Sequence, residues 1–361
     1  MAGVTGVGGV GVALLAAATL CLTTGCSTVS YYAQSVGGHV SLLQAARPVP
    51  DWLADTQAGA ALKERLALSQ RIRDFAVSKL QLPDNASYRR YADLKRGAAV
   101  WNVVAAPELS LQLKTWCFPV LGCVGYRGYF DRAEADALAA QLRVEGLEVS
   151  VYGVPAYSTL GALPGDWMAD PLLSTFINYP EGELARLIFH ELAHQIAYAK
   201  DDTMFNESFA TAVERLGGTR WLGEHGSAQA RAEYAEFDAR RQDFRALTTQ
   251  ARARLDALYR SDADDMHKRA QKQSVLAQLR ADHAAMKVER WGGFAGYDGW
   301  FARANNASLG VLAAYNELVP EFERLFESEG RDFKRFYAQV RRLADLPKAQ
   351  RRAELSNSRS P

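Results

Sequence analysis

No sign of charge dominates this chain: 42 Lys and Arg stand against 41 Asp and Glu over 361 residues. A basic face that could track a phosphate backbone is therefore excluded, and with it a nucleic-acid partner. Cysteine is scarce, with 4 residues in all. Around Cys117 and Cys123 no further Cys or clustered His completes a thiolate metal set. No internal repeat is present. Charge is missing altogether from Met1 to Gly25, a tract rich in Ala, Val, Leu and Gly. The chain beyond it is long enough for one large or two modest domains with a sizeable core.

The uncharged start reads as an address. Val10 to Leu22 is a secretory h-region, and Leu22-Thr23-Thr24-Gly25-Cys26 resembles a bacterial lipobox. Cys26 would then be the lipidated first residue of the mature protein. The tract is also long enough for an uncleaved membrane-spanning helix, but its many glycines argue against one. Ser27, rather than Asp, after the cysteine resembles the sorting pattern for the outer membrane. With Cys21 in the signal and Cys26 acylated, Cys117 and Cys123 are left. Pro119 and Gly122 allow a tight loop there, and in an oxidising compartment a local disulfide is expected. Closing so short a loop adds only about 2 kcal/mol. A pair of buried thiols is the alternative.

Chemistry concentrates in Leu184-Ala185-Arg186-Leu187-Ile188-Phe189-His190-Glu191-Leu192-Ala193-His194-Gln195, which contains His-Glu-x-x-His. Positions four apart on a helix lie one turn above each other, so His190 and His194 can share one metal ion through neutral imidazoles. Glu191 follows the first ligand, where its carboxylate can take a proton from a metal-bound water. Leu184, Leu187, Ile188, Leu192 and Ile196 form the stripe that would seat this helix in a core, and Glu181 and Glu183 suit its N-terminus. Two histidines satisfied at a packing edge would give the same five-residue pattern. The residues downstream argue otherwise: Phe205-Asn206-Glu207-Ser208-Phe209-Ala210-Thr211-Ala212-Val213-Glu214 reads as a second helix that brings one more carboxylate, completing a His-His-Glu site with a position open for water.

His-Glu-Leu-Ala-His-Gln followed by Asn-Glu-Ser-Phe-Ala-Thr-Ala-Val-Glu is similar to the gluzincin zinc metallopeptidases, especially their aminopeptidase-N-like branch. The whole chain resembles a family of predicted aminopeptidases found as bacterial lipoproteins. The resemblance implies Glu207 as third zinc ligand and Glu214 as the carboxylate that supports a zinc-bound histidine. One departure is the spacing. Twelve residues separate His194 from Glu207, whereas the nineteen that separate His194 from Glu214 match the longer connection of the familiar gluzincins. The Asn-Glu-x-x-Ala context favours Glu207, and since the two acids are two turns apart both can face the metal. The Gly-Ala-Met-Glu-Asn-like segment that binds the substrate amine in aminopeptidase-N relatives is absent, which leaves the acidic anchor for an α-amine unnamed.

Elsewhere the periodicity predicts helix from Tyr31 to about Leu82 and strands at Ala98–Ala105, Leu109–Leu113 and Glu148–Val154. It also predicts a helix capped by Asp131 that runs to Leu147. By the same resemblance, a strand in Pro155–Gly161 or Pro171–Tyr179 would pair with substrate backbone. Ser227 to Glu289 reads as two helices about a turn at Ser261–Asp265. Its His225, His267 and His283 neighbourhood shows no metal pattern. Tyr315, in the helix Leu309–Leu318, is the candidate donor to the oxyanion of the scissile carbonyl.

The expectation is a helix-rich α+β fold with a zincin-like catalytic core, a small sheet, additional helices and a long helical hairpin. Its divisions are a signal peptide (1–25), N-terminal helices, sheet and metal core (26–220), the hairpin (221–290), a C-terminal helical part (291–347) and a disordered tail (348–361). The function expected is a Zn2+-dependent peptidase, an aminopeptidase acting on peptides or proteins. It would be held by an N-terminal lipid at the periplasmic face of the outer membrane. An envelope endopeptidase, or an interaction lipoprotein in which zinc only staples two helices, is the alternative.

Overall fold

Apolar residues at helical spacing fill most of the chain, and most of it is helix. The computed structural model describes residues 30–118, 122–159 and 165–357, with the side chains of 314–316 excepted. α1 (residues 30–45), α2 (Val49–Ala54) and α3 (Ala60–Leu80) come first, with β1 (Arg47–Pro48) between the first two. Strands β2 (Arg90–Ala92), β3 (Val100–Pro107), β4 (Trp116–Phe118), β5 (Gly122–Val124) and β6 (Arg127–Tyr129) come next. Then come α4 (Arg132–Val144), β7 (Leu147–Val154) and β8 (Leu172–Leu173). α5 (Glu181–Ala193) and α6 (Thr203–His225) lead to α7 (Ala228–Arg260) and α8 (Asp265–Glu289). The chain ends with α9 (Asp298–Ala302), α10 (Asn306–Asn316), α11 (Val319–Ser328), α12 (Phe333–Ala344) and α13 (Lys348–Ser356). The fold is helix-rich α+β.

β3 is the spine of the larger sheet, ordered β6-β3-β7. It runs antiparallel to β7 from Val100↔Val154 to Pro107↔Leu147. Alternation along it divides two packing layers. Val103 and Ala105 join Ala135, Ala139 and Leu142 of α4, while Val104 and Ala106 meet Ala307 of α10. Both faces are covered, so apart from Asn102 the strand is apolar rather than alternating. The alternating Leu109, Leu111 and Leu113 do not form a strand. Leu111 packs with the hairpin cluster and Leu113 with the β3–α10 cluster, so the period serves two separate contacts and no ladder. In Pro171–Tyr179 only Leu172–Leu173 is strand, with Tyr91↔Leu172 in parallel register. The chain then turns, Ile177 N–H donating to Leu173 O at 3.0 Å, and this buries Phe176 and Ile177.

α5 sits at the centre. Leu184, Ala185, Ile188, Phe189 and Leu192 are entirely out of water, each large one worth about 1.5–3 kcal/mol of burial. α6 lies against it, and Gly217 and Gly218 let it come close. A Cβ on Gly217 would meet Leu80 Cδ1 at 2.6 Å and Phe189 Cδ2 at 2.8 Å; one on Gly218 would meet Arg186 Cγ at 2.9 Å. The helix therefore continues through the glycine pair to His225, and the expected boundary at 220/221 falls inside it. Tertiary contact outweighs the low helix propensity of glycine here.

The hairpin forms as expected, its turn at 261–264 capped by Asp264, which accepts from His267 N–H at 2.8 Å. It has its own core of Phe244, Leu247, Leu255, Leu276 and Leu279 with Trp291 and Phe301. Lys272, buried on α8, ties it to the sheet by donating to Glu108 O at 2.7 Å and to the Glu148 carboxylate. The tail corrects the sequence reading: Lys348–Ser356 is helix α13, not disordered. Leu355 is fully buried, and Arg351, four residues before it on the same face, donates to Leu343 O at 3.1 Å, Leu346 O at 2.8 Å and Asp202 Oδ2 at 2.7 Å. Two anchored residues one turn apart hold a segment whose composition is otherwise polar.

Asp202 is the N-cap of α6 and accepts from Phe205 N–H at 3.3 Å. Its carboxylate, 0% exposed, also pairs with Arg351 and Arg352. Asp202→Ala leaves two guanidinium groups uncompensated and is expected to destabilise by about 3–5 kcal/mol in urea unfolding. Arg260→Ala, which removes an exposed i,i+4 pair with Asp256, should change stability by less than about 0.5 kcal/mol.

Candidate metal centre

His190 lies in the last turn of α5, and His194 is its C-cap, still in right-handed helical conformation at φ −58° and ψ −22°. The two rings therefore stand on one face. The chain reverses between Gln195 and Asp202 by tight backbone turns, with Asp201 in the left-handed region at φ 60°. Asn206 closes this loop with both ends of its amide: Oδ1 accepts from Ala199 N–H at 2.8 Å and Nδ2 donates to Ala199 O at 2.9 Å. Glu207, the next residue, thereby points its carboxylate at the histidines. A short connection suffices because the turn is pinned by side-chain bonds.

Three donor atoms converge. His190 Nε2 is 3.2 Å from His194 Nε2, and Glu207 Oε2 is 3.4 Å from the former and 3.7 Å from the latter. Donors bound about 2.0–2.2 Å from one tetrahedral ion stand about 3.3–3.6 Å apart. Two imidazoles and a carboxylate at these separations fit zinc or a similar divalent ion. Glu214 is elsewhere: its Oε2 lies 3.0 Å from His190 Nδ1, on the opposite side of the ring. With Nδ1–H donating there, Nε2 keeps its lone pair for the donor triangle. The other Glu214 oxygen pairs with Arg186, also on α5.

The local field favours a cation at the triangle. Burial opposes charge on His190, but Glu207 and Glu214 outweigh it and hold its pKa well above the usual imidazole range. Burial pushes His194 down to about 4. Burial would raise Glu214, yet the Arg186 guanidinium and His190 more than reverse it. Glu191, on α5 beside the first histidine, is pushed up to about 7 by burial against the opposing pull of His190.

One turn beyond Glu191, Gln195 accepts from Asn85 Nδ2 at 2.7 Å and donates to Ser87 Oγ at 3.1 Å. Glu191 thus faces the loop that carries Tyr88. That phenol is buried with no hydrogen-bond partner among the described residues, and burial, reinforced by Glu191 and Asp170, raises its pKa well above the usual phenol value. Asp170, 1% exposed, accepts from Thr159 N–H at 3.0 Å and Ser158 Oγ at 3.1 Å, and burial pushes it up to about 6. On the Glu207 side, Tyr126 is raised by burial and by that carboxylate, and Tyr152 and Tyr198 stand at about 12 for the same two reasons.

His190, Glu191, His194 and Glu207 are thus brought together, with Glu214 behind the first ring. Cys117 and Cys123 form a disulfide across the β4–β5 register. Cys123 N–H donates to Asp201 Oδ1 at 2.6 Å, which sets this hairpin against the loop between His194 and Glu207. Cys26 and the side chain of Tyr315 lie outside the described residues. Sequence reasoning missed Asn206 as the loop clamp and Arg186 as the partner of Glu214. The signal for Arg186 was its place four residues before His190, on the face turned to α6.

A buried two-histidine, one-glutamate donor set with two further carboxylates, Glu191 and Glu214, beside it forms a candidate metal centre on a helix-rich α+β scaffold. More particularly, the chain belongs to the family Aminopep, described as "Putative aminopeptidase", whose model matches residues 30–355. No curated protein and no solved structure matches it.

With zinc supplied, Glu207→Ala should abolish stoichiometric binding, measured as metal retained after gel filtration. Glu214→Ala should retain it with affinity lower by about 10–100-fold. Loss of metal only in Glu214→Ala would reverse the two assignments.

Proposed function

We propose that this protein is a zinc-dependent aminopeptidase of the cell envelope. Membership of the family supports a peptidase acting on peptides. The observation that carries the zinc reading is the triangle of His190 Nε2, His194 Nε2 and Glu207 Oε2, with all three atoms within 4.8 Å of one another. Zinc held there would acidify a water and polarise the scissile carbonyl. Glu191, the carboxylate that follows the first histidine, would take a proton from a water held there and pass it to the leaving nitrogen. Glu214 keeps the His190 ring oriented. Tyr315, on α10, is retained as candidate donor to the developing oxyanion.

Export and anchoring rest on the uncharged start and the lipobox-like approach to Cys26, with lipid at the outer membrane. The Cys117–Cys123 disulfide fits an oxidising compartment. No helix among the described residues is long and apolar enough to cross a membrane.

One observation favours a second reading. Asp170, the acid that shares the surroundings of Glu191, is engaged by Ser158 and Thr159, so it is not offered to an α-amine as it stands. An envelope endopeptidase needs no such anchor. A purely structural zinc staple is disfavoured, because it has no use for Glu191.

Glu191→Gln should bind zinc like wild type and lose about 10²–10⁴-fold in turnover of peptide substrates; a fully active Glu191→Gln would remove the mechanism. Peptides with free N-termini should be shortened one residue at a time while N-acetylated copies stay intact. Equal internal cleavage of both would establish the endopeptidase.

A further inference from the structure

Behind the donor triangle lies a second layer of charge that the hydrolytic reading does not use. Arg186 stands one turn before His190 on α5 and is 4% exposed. One end of its guanidinium pairs with Glu214, the carboxylate whose other oxygen sits on His190 Nδ1 at 3.0 Å. The other end turns to α7, where Asp238 Oδ1 lies at 3.4 Å and Tyr234 Oη at 3.5 Å. Arg241 of α7 forks onto Glu183, in the first turn of α5, at 2.9 and 3.1 Å. It also stands 3.4 Å from Asp238. The aliphatic stem of Arg186 runs past Gly218, where any side chain would collide with it. An unbroken series, Glu183–Arg241–Asp238–Arg186–Glu214–His190, thus joins three helices.

We propose that Arg186 is a positioning residue of the metal centre, and that through it the helical hairpin governs how tightly the centre holds its ion. This rests on the zinc reading above. A carboxylate bonded at one oxygen can still turn about its last side-chain torsion, which is soft. Arg186 takes the second oxygen and fixes the first on Nδ1–H, so that His190 presents Nε2 in one orientation. Packing alone does not call for an arginine here. Burying a guanidinium carries a heavy desolvation penalty, and an apolar residue of similar volume commonly stabilises as well or better. What only arginine supplies is a planar fork able to hold carboxylates from two helices at once. Asp238 and Tyr234 hold the far side of that fork, which makes α7 part of the support of the site rather than an appendage.

The test is zinc affinity by chelator competition on the full-length folded protein, with cobalt absorption as a readout of coordination geometry. Arg186→Met should weaken zinc about 10–100-fold and alter the cobalt spectrum. Asp238→Asn should weaken it less but in the same direction. Combining Arg186→Met with Glu214→Gln should cost little beyond Glu214→Gln alone, as expected for groups acting in series. Should Arg186→Met fail to fold, Asp238→Asn decides. Wild-type affinity in the folded variants, whatever their melting temperature, overturns the proposal and leaves the zinc reading intact. Absence of zinc binding by wild type overturns both.

Discussion

Everything at the centre of this protein depends on two helices lying close enough for three donor atoms to share one point. A triangle with sides of 3.2, 3.4 and 3.7 Å brings side chains of α5 and α6 to one point and so needs the two helices held in fixed register. The contact is thinned where it must be, at Gly217 and Gly218, against Phe189 and Arg186. Phe189 directly precedes His190, so the packing that seats the helix also sets the angle of the first imidazole.

Hydrophobic contact is non-directional, and by itself it would leave packed helices free to slide by fractions of an ångström. Buried charge supplies direction here. Arg186, Lys272 and Asp202 are nearly or wholly out of water, a state unfavourable by several kcal/mol per ion unless it is fully paired. Each is paired to a different element: Arg186 joins α5 to α6 and α7, Lys272 joins α8 to the sheet, and Asp202 joins α6 to α13. Polar groups with fixed geometry thereby set the relative placement of layers whose cohesion is apolar.

How much of this is legible in the sequence depends on range. His190, Glu191 and His194 are legible because one helical turn fixes them relative to each other, and the cap at Asp131 and the turn at 261–264 are similarly local. Glu207 was ambiguous against Glu214 because spacing measures length, while the actual loop is set by the Asn206 amide and a left-handed Asp201. The division expected at 220/221 falls inside α6 because the tertiary contacts of Gly217 and Gly218 carry that helix on, and Arg186 takes its role from partners on α6 and α7. Leu109, Leu111 and Leu113 alternate as a strand would, but only the folded arrangement shows that they serve two different cores. The polar tail conceals its two anchors, Arg351 and Leu355, among exposed neighbours.

The bond between Arg351 and Asp202 spans 149 residues of sequence, and this has a bearing on timing. A chain made from its N-terminus presents both histidines and Glu207 well before α13 exists. Until that helix arrives, the carboxylate that begins α6 faces solvent with only its own backbone to bond, and the first turn of the ligand helix lacks its lock. The lock on the first turn of α6 thus waits for α13, 149 residues further along the chain.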